Sequence, residues 1–528
     1  MNGDDRAKRD PTLSPGADGV CAGRFRPASD LARGGTAISA ALSAAILAAM
    51  CLVAPDCIHW FAVPVLLCGT VIGVDALHWC RGRYDIFDPR GVIGVVGYYA
   101  FFIAPLLHVA LDSWMREINE NVPWREWLGG MAILNVLGLL VYRWVTERAR
   151  DGIRRRKSDE RRSLHVGWFL ALVGVAAVAS GVAQFVVYDR FGGILGYILA
   201  FEARDMAFRG MGLLFTLSEG LPILLFLGYA AVVRWKKLSP SWATLLLVLL
   251  AVFVLLLLFG GLRGSRSNTV WRLFWAVGVV HLWIRRIPRS LAMVGILLLA
   301  AFLYSYAFYK SGGMEGLADL RDPDARVVFE DRMQRGVKDM LLGDLGRADV
   351  HAFLLYALWG PDRDYDYALG RTYVGALAQL IPRSVWPDRP PTKVLEGTEI
   401  QRGRGSFRGS EVLGLYSTRV YGITGEAMLN FGPLAVPFAL ALLGLVVGIL
   451  SGLLDRWAYG DPRLLLYPFL VNLCLVLLVL DSDNALFFVV KNGMIPGLIL
   501  ALSTTIASGR RTGQPWTDAP AKRQESPA

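Results

Sequence analysis

The sequence predicts an all-α polytopic membrane protein, and three observations carry that expectation. Apolar runs recur at about 20 residues, the length a helix needs to cross a bilayer core, and hydrophobic residues make up 54% of the 528. Mean hydropathy is +0.43 while charged residues are held to 19%. The runs are also apolar throughout, as in Leu245 to Leu258, whereas strands of a membrane barrel alternate at period two. Backbone groups find no water in the bilayer, so helices are the remaining spanning structure.

Twelve spans are expected, at 36–54, 59–78, 91–110, 127–145, 165–187, 211–233, 240–260, 268–284, 290–309, 432–452, 463–480 and 484–506. Residues 1–35 are rich in Gly, Pro, Asp and Arg without apolar periodicity and read as a disordered tail, as do 507–528. The run from Thr36 imitates a signal peptide, but its basic leader is long and no cleavage site follows, so it is kept as a span. The first nine spans occupy 36–309 and the last three 432–506, with a polar segment, 310–431, between them.

Lys and Arg set the orientation, because they concentrate in cytoplasmic loops. On one side of this layout the two tails and the stretches 79–90, 143–164, 234–239, 285–289 and 453–463 hold 30 Lys and Arg; the opposite stretches 55–58, 111–126, 188–210, 261–267 and 481–483 hold 7. The first set is expected in the cytoplasm together with both termini, which puts loop 310–431 on the outer, periplasmic face. The net charge of +11 follows from this asymmetry, and no nucleic-acid partner is expected. The six cysteines show no metal-ligand spacing and fall in or beside apolar segments, as small packing residues do.

Within the outer loop, Arg326 to Gly360 carries apolar residues at helical spacing and Tyr365 to Leu380 reads as a second amphipathic helix, both suited to lying on the membrane surface. Ile381 to Ser410, rich in Pro, Gly and Arg, reads as ordered loop or re-entrant structure, with disorder as the alternative. No internal repeat divides the chain into two similar halves.

The candidate chemistry is anionic. Gly260 to Ser267 places Arg263 and Arg266 in a short outward loop beside glycines, with Arg272 one to two turns into the next span. Positive residues are disfavoured on that side, and a guanidinium fork suits a diphosphate; binding lipid headgroups or pairing with loop acids is the plain alternative. Arg383, Arg389, Lys393, Arg402, Arg404 and Arg408 add outward charge that would draw an anionic substrate, balanced against Glu396, Glu399 and Glu411.

Two carboxylates are candidates for catalysis. Glu219 sits inside a span beside Gly220 and Pro222, as a general base or substrate ligand, or else as a structural partner of Arg272 or Lys491. Glu426 stands before the tenth span at the expected level of Arg263, with a helix-dipole role as the simpler reading. Lys491, deep in the last span, is expected to snorkel toward Asp481 or Asp483, or to line a cavity with the arginines. His351, His59 and His108 are outward candidates for a base, with a structural role as the plainer reading, and Asp362, Asp364 and Asp366 alternate as metal-binding acids do but read as a turn after Gly360 and Pro361. No metal and no cofactor are expected, and no nucleotide-binding glycine motif is present.

Four features together resemble the bacterial oligosaccharide repeat-unit polymerases, the Wzy-type O-antigen and exopolysaccharide polymerases. They are Gly261-Leu-Arg-Gly-Ser-Arg266 after a span, Ile381-Pro-Arg-Ser-Val-Trp-Pro-Asp-Arg-Pro390 in the outer loop, Gly425-Glu-Ala-Met-Leu-Asn-Phe-Gly432 entering the next span, and the many-span layout around one large outer loop. The resemblance covers about the second half of the chain. It implies a GT-C-like glycosyltransferase of the bacterial inner membrane that joins undecaprenyl-diphosphate-linked oligosaccharides on the periplasmic face, without nucleotide sugar or metal. It further implies that Arg263 and Arg266 hold the diphosphate leaving group, that Glu426 and the 382–391 loop shape the acceptor side, and that a flippase and a chain-length regulator are partners. A ligase with a different acceptor is the nearest alternative; a lipid-linked oligosaccharide flippase would be expected to carry charges through many spans.

Overall fold

The computed structural model of the chain describes residues 28–115, 118, 122–156, 162–202, 208, 211–333, 336–361, 365–382, 385–408 and 419–506. Of the two expected tails, 1–27 and 507–528 lie outside the described residues. Ten described helices are long and apolar enough to cross a membrane, and the only described sheet is one pair of three-residue strands. The chain is an all-α, multi-pass membrane protein.

The membrane-capable helices are α1 (Ala28–Val53), α2 (Ala62–Cys80), α3 (Pro89–Ala110), α4 (Trp124–Arg155) and α5 (Val166–Arg190); then, after the short α6 (Ile194–Glu202), α7 (Gly212–Trp235) and α8 (Trp242–Leu258). Following α9 (Arg266–Val279) comes the membrane-capable α10 (Arg289–Asp319). The loop helices are α11 (Pro323–Met333), α12 (Ala348–Trp359), α13 (Arg371–Ala378), α14 (Lys393–Arg402) and α15 (Gly422–Phe431). Last come α16 (Val436–Arg456), α17 (Tyr467–Val479) and α18 (Ser482–Ser503), of which α16 and α18 are membrane-capable.

Two of the twelve expected spans are therefore not among the ten. The expected 268–284 run is α9, which carries Arg266 and buried Arg272 and ends in a π-turn, Val280–Ile284. The expected 463–480 run is shortened at its start, where Asp461 caps the 3-10 turn Pro462–Leu465, leaving 13 residues in α17. The ninth expected span does not end at 309 either: α10 continues to Asp319, broken at Gly313, whose φ of 64° is left-handed.

Polar contacts sort the connecting segments into two groups. Arg150 pairs with Asp455 at 2.8 Å, Arg286 with Asp85 at 2.8 Å, Arg234 donates to the Trp283 carbonyl, and Arg162–Leu164 pairs antiparallel with Thr504–Ile506. At the other end Arg125 pairs with Asp56, Lys338 donates to the Leu111 carbonyl, and the Ser482 amide donates to Glu426. None of these contacts joins a segment of one side of the Lys and Arg tally to a segment of the other.

The tightest packing is between α4 and α16. Gly444, Gly448 and Gly452 form a stripe at every fourth position, and a Cβ on Gly444 would lie 2.6 Å from the Tyr142 carbonyl oxygen while one on Gly452 would lie 2.8 Å from Ile153 Cβ. Lipid tails are as apolar as the helix surface, so close backbone approach through small residues is what holds such a pair together. Thr146 adds a hydrogen bond to the Gly444 carbonyl at 3.1 Å.

In the 310–431 segment, α12 does not lie on a surface as expected. It is apolar on nearly all sides, and Ala352, Phe353, Leu354 and Leu355 are buried in packing against α4 and α15. The expected ordered-loop region after Ile381 contains α14, capped by the Thr392 hydroxyl.

Candidate functional site

Between α8 and α9 the chain turns on Gly260 and Gly264, with φ of 151° and 77°. A Cβ on Gly260 would sit 2.8 Å from the Glu219 carboxyl carbon, so glycine is what lets this turn approach that acid. Carbonyls left open as a helix ends need outside donors, and three tyrosines supply them. Tyr188 Oη donates to the Leu258 carbonyl at 2.5 Å, Tyr309 Oη to Leu262 at 2.6 Å, and Tyr306 Oη to Gly261. Helices α5 and α10 thus clamp the turn that presents Arg263.

Glu219 is completely buried inside α7, where the helix is interrupted at Glu219 and Gly220. Its Oε1 lies 2.6 Å from Arg263 Nη2, and its Oε2 lies 2.6 Å from Lys491 Nζ and 3.4 Å from Arg272 Nη1. Neutral polar groups complete the set: Arg272 Nε donates to Asn492 Oδ1 at 2.8 Å, and Lys491 Nζ to Asn268 Oδ1 at 3.1 Å. A π-turn, Val489–Gly493, carries both Lys491 and Asn492; such turns are frequent where a helix serves a site. The Arg263 guanidinium also stacks on Phe215, 3.8 Å from the ring centre.

Electrostatically the cluster is unbalanced. Among the described residues three cations face one carboxylate, and Glu219 is the acid that acts on both Arg272 and Lys491. Buried charge is costly unless paired, and among the described residues a surplus of two positive charges remains. Arg272 Nη2 and Arg263 Nε are buried without a hydrogen-bond acceptor among the described residues. Of the two expectations for Lys491, the link to Asp481 or Asp483 is corrected: it turns to Glu219, while Asp481 is taken by Lys393 at 2.6 Å.

Glu426 occupies a different environment. It is 1% exposed on α15 and accepts three hydrogen bonds of 2.6 Å, from Thr372 Oγ1, Ser482 Oγ and the Ser482 amide. Asn430 supports the arrangement by donating to Thr372 at 2.8 Å and accepting from the Gly370 amide at 2.8 Å. The expected helix-dipole role is present, but toward α18, whose first amide it caps, rather than toward the following span. Burial first, and the neighbouring Asp481 charge second, hold the Glu426 carboxyl above the ordinary carboxylate range, against the pull of its Ser482 and Thr372 donors.

The two carboxylates do not share a site. Glu426 meets α18 at Ser482 and Glu219 meets it at Lys491, positions separated by roughly 13 Å of helical rise. The expectation that Glu426 stands at the level of Arg263 is not met.

The other candidate arginines are dispersed. Arg389 caps the end of α13, donating to the Gln379 and Ile381 carbonyls at 3.3 and 2.8 Å. Arg404 pairs with Asp366 on the surface, Arg408 is exposed, and Arg266 is half-buried at the start of α9. Arg383, Asp362, Asp364 and Glu411 lie outside the described residues. Glu396 is engaged by Arg371 at 3.1 Å and by Tyr365. His351 Nε2 faces the Tyr421 carbonyl at 2.7 Å and therefore carries the proton, and burial pushes this imidazole below its usual range. His59 pairs with Glu126, and His108 lies 3.6 Å from Asp349. A cavity of about 50 Å³ beside His351, Asn135 and Tyr421 is lined by none of the Glu219 cluster.

Sequence reasoning named Glu219, Arg263, Arg272 and Lys491, which the structure brings together. It missed Asn268, Asn492 and the three clamping tyrosines. Asn492 carried a usable signal, being polar and next to a lysine inside an apolar span. Compared with known proteins, the chain matches no family model, no curated sequence and no solved structure.

Proposed function

We propose that this protein is a glycosyltransferase that joins polyisoprenyl-diphosphate-linked oligosaccharide units, with Arg263, Arg272 and Lys491 receiving the diphosphate. The observation that supports this most strongly is the convergence of these three cations on one buried acid. In glycosyl transfer from a diphosphate, negative charge grows on the leaving oxygen, and cations fixed in a site of low dielectric stabilise it without reorganising. Guanidinium groups with open N–H donors match phosphate oxygens in pairs. Glu219 in this reading is the resident counter-ion that keeps the cations oriented; the diphosphate supplies the missing negative charge.

The wider frame belongs to the same proposal: twelve crossings in a GT-C-like layout, with α9 and α17 as the two additional ones, in a bacterial inner membrane with both termini in the cytoplasm. The asymmetry of Lys and Arg favours the periplasmic side for the turn between α8 and α9 that carries the cluster. Arg266, at the mouth of the same turn, would meet the glycan side of the substrate. A flippase that delivers the units and a chain-length regulator are the partners this chemistry calls for.

The experiment is reconstitution of the purified protein in liposomes with lipid-linked repeat units. Elongated, still lipid-linked products formed without nucleotide sugar or ATP support a transferase. Movement of the units between leaflets with no change in glycan length would replace it with a transporter.

A further inference from the structure

Helix α13 wears its side chains in the reverse of the usual order. The face turned into the protein carries small residues, Thr372, Gly375, Ala376 and Ala378, all buried. Gly375 comes so close to the Pro391 carbonyl that any Cβ there would collide with it. The outer face carries Val374 and Leu377, 52% and 61% exposed, and Ile381, just past the helix end, is exposed as well. Leu380 and Val385 extend the same apolar surface. A soluble loop helix puts its large apolar residues inward; small residues inward and large ones outward is the pattern of a helix whose solvent is lipid.

Its neighbours fix the depth. Helix α13 packs against the first two turns of α18, a membrane-capable helix. Tyr373 stacks on Phe431, ring centres 6.3 Å apart, and Phe431 is followed by exposed Leu434 in the turn before α16 and by exposed Phe438 and Leu442 along it. The exposed face of α13 is thus continuous with the outward face of a span. At its edges stand Arg371 and Trp386, both exposed, the residue types that mark a headgroup boundary.

We infer that residues 371–381, in a segment the sequence assigns to the outer loop, are a wedge immersed in the acyl region of the leaflet on the Glu426 side, with Val374, Leu377 and Ile381 in contact with lipid chains. The wedge forms the wall between lipid and Glu426, because Thr372 on its inner face is the donor to that carboxylate. This placement stands on packing and exposure alone and holds whatever reaction the protein performs.

The test uses the full chain in lipid nanodiscs, with Cys21, Cys51 and Cys80 replaced by serine and the buried Cys57, Cys68 and Cys474 kept. Single nitroxide labels go at Val374→Cys, Leu377→Cys and Ile381→Cys, with Arg404→Cys as the surface reference, and collision rates with oxygen and with a water-soluble nickel chelate are read by EPR. The wedge predicts an oxygen-to-nickel ratio severalfold higher at all three positions than at Arg404. Ratios equal to that at Arg404 would place the helix in water, and low collision with both agents would mean that another protein surface covers it; either result overturns the inference. Three positions are used so that a variant that does not fold leaves the comparison intact.

Discussion

Lys491 and Glu219, on the last span and on α7, meet at 2.6 Å with both side chains buried. The contact ties α18 to α7, and Arg272 and Arg263 close it from α9 and the preceding turn. The members are not equivalent. Glu219→Gln leaves three cations facing one another, whereas Lys491→Met leaves two arginines on one acid. Removing one partner of a buried ionic set costs roughly 3–5 kcal/mol, so Glu219→Gln should approach that range in detergent-based unfolding and Lys491→Met should lose clearly less. Equal losses would mean that Glu219 is not the common counter-ion.

The α4–α16 seam makes a prediction about packing. A Cβ on Gly448 would run into the Thr146 carbonyl of α4, while Gly295 has nothing within 4 Å. Gly448→Ala should cost about 1–3 kcal/mol, the usual effect of overpacking, and Gly295→Ala should be near neutral. Comparable thermal midpoints for the two variants would show that the helices are not in this contact.

Glu426 is a matter of satisfied donors. Glu426→Ala leaves the Ser482 amide, the Ser482 hydroxyl and Thr372 without their acceptor, and buried donors left unmet cost about 1–3 kcal/mol each. Glu426→Gln keeps one oxygen for the amide, and both hydroxyls can rotate to accept from its NH2 group. The alanine variant should therefore unfold at much lower temperature than the glutamine variant. If Glu426→Gln is the worse of the two, the negative charge rather than the hydrogen bonding is what the position needs.

His351 gives a pH dependence whose sign is fixed. Burial holds its pKa below the unfolded value of 6.5, so below pH 6.5 the unfolded chain takes up a proton that the folded chain resists. Stability associated with His351 is therefore present above pH 6.5 and lost as pH falls from there toward the depressed value. His351→Gln, whose side-chain amide can still donate to the Tyr421 carbonyl, should flatten the acid limb of a midpoint-versus-pH curve. An unchanged limb would assign it to other groups.

The helical class was legible because a bilayer imposes long apolar runs that composition cannot hide. Glu219, Arg272 and Lys491 were legible because ionisable residues inside such runs are few. Their pairing was not: a lysine ten residues into a span reaches either way, and only the packing of α7 and α9 against α18 decides that it meets Glu219. Arg389 read as substrate-directed charge yet caps a helix, a role visible only once α13 ends beside it. The stripe Gly444, Gly448 and Gly452 was present in the sequence at its four-residue spacing and shows its meaning against α4.

The central claim is that the three cations await a diphosphate. The direct measurement is binding of undecaprenyl diphosphate and undecaprenyl monophosphate to the purified chain by native mass spectrometry, for the wild type and for Arg263→Gln, the member at the mouth of the cluster. The diphosphate should bind the wild type more tightly than the monophosphate, and Arg263→Gln should weaken diphosphate binding about tenfold, equivalent to about 1.4 kcal/mol, with monophosphate binding affected less. Equal binding of both lipids, or a folded Arg263→Gln protein that binds the diphosphate as the wild type does, would contradict it.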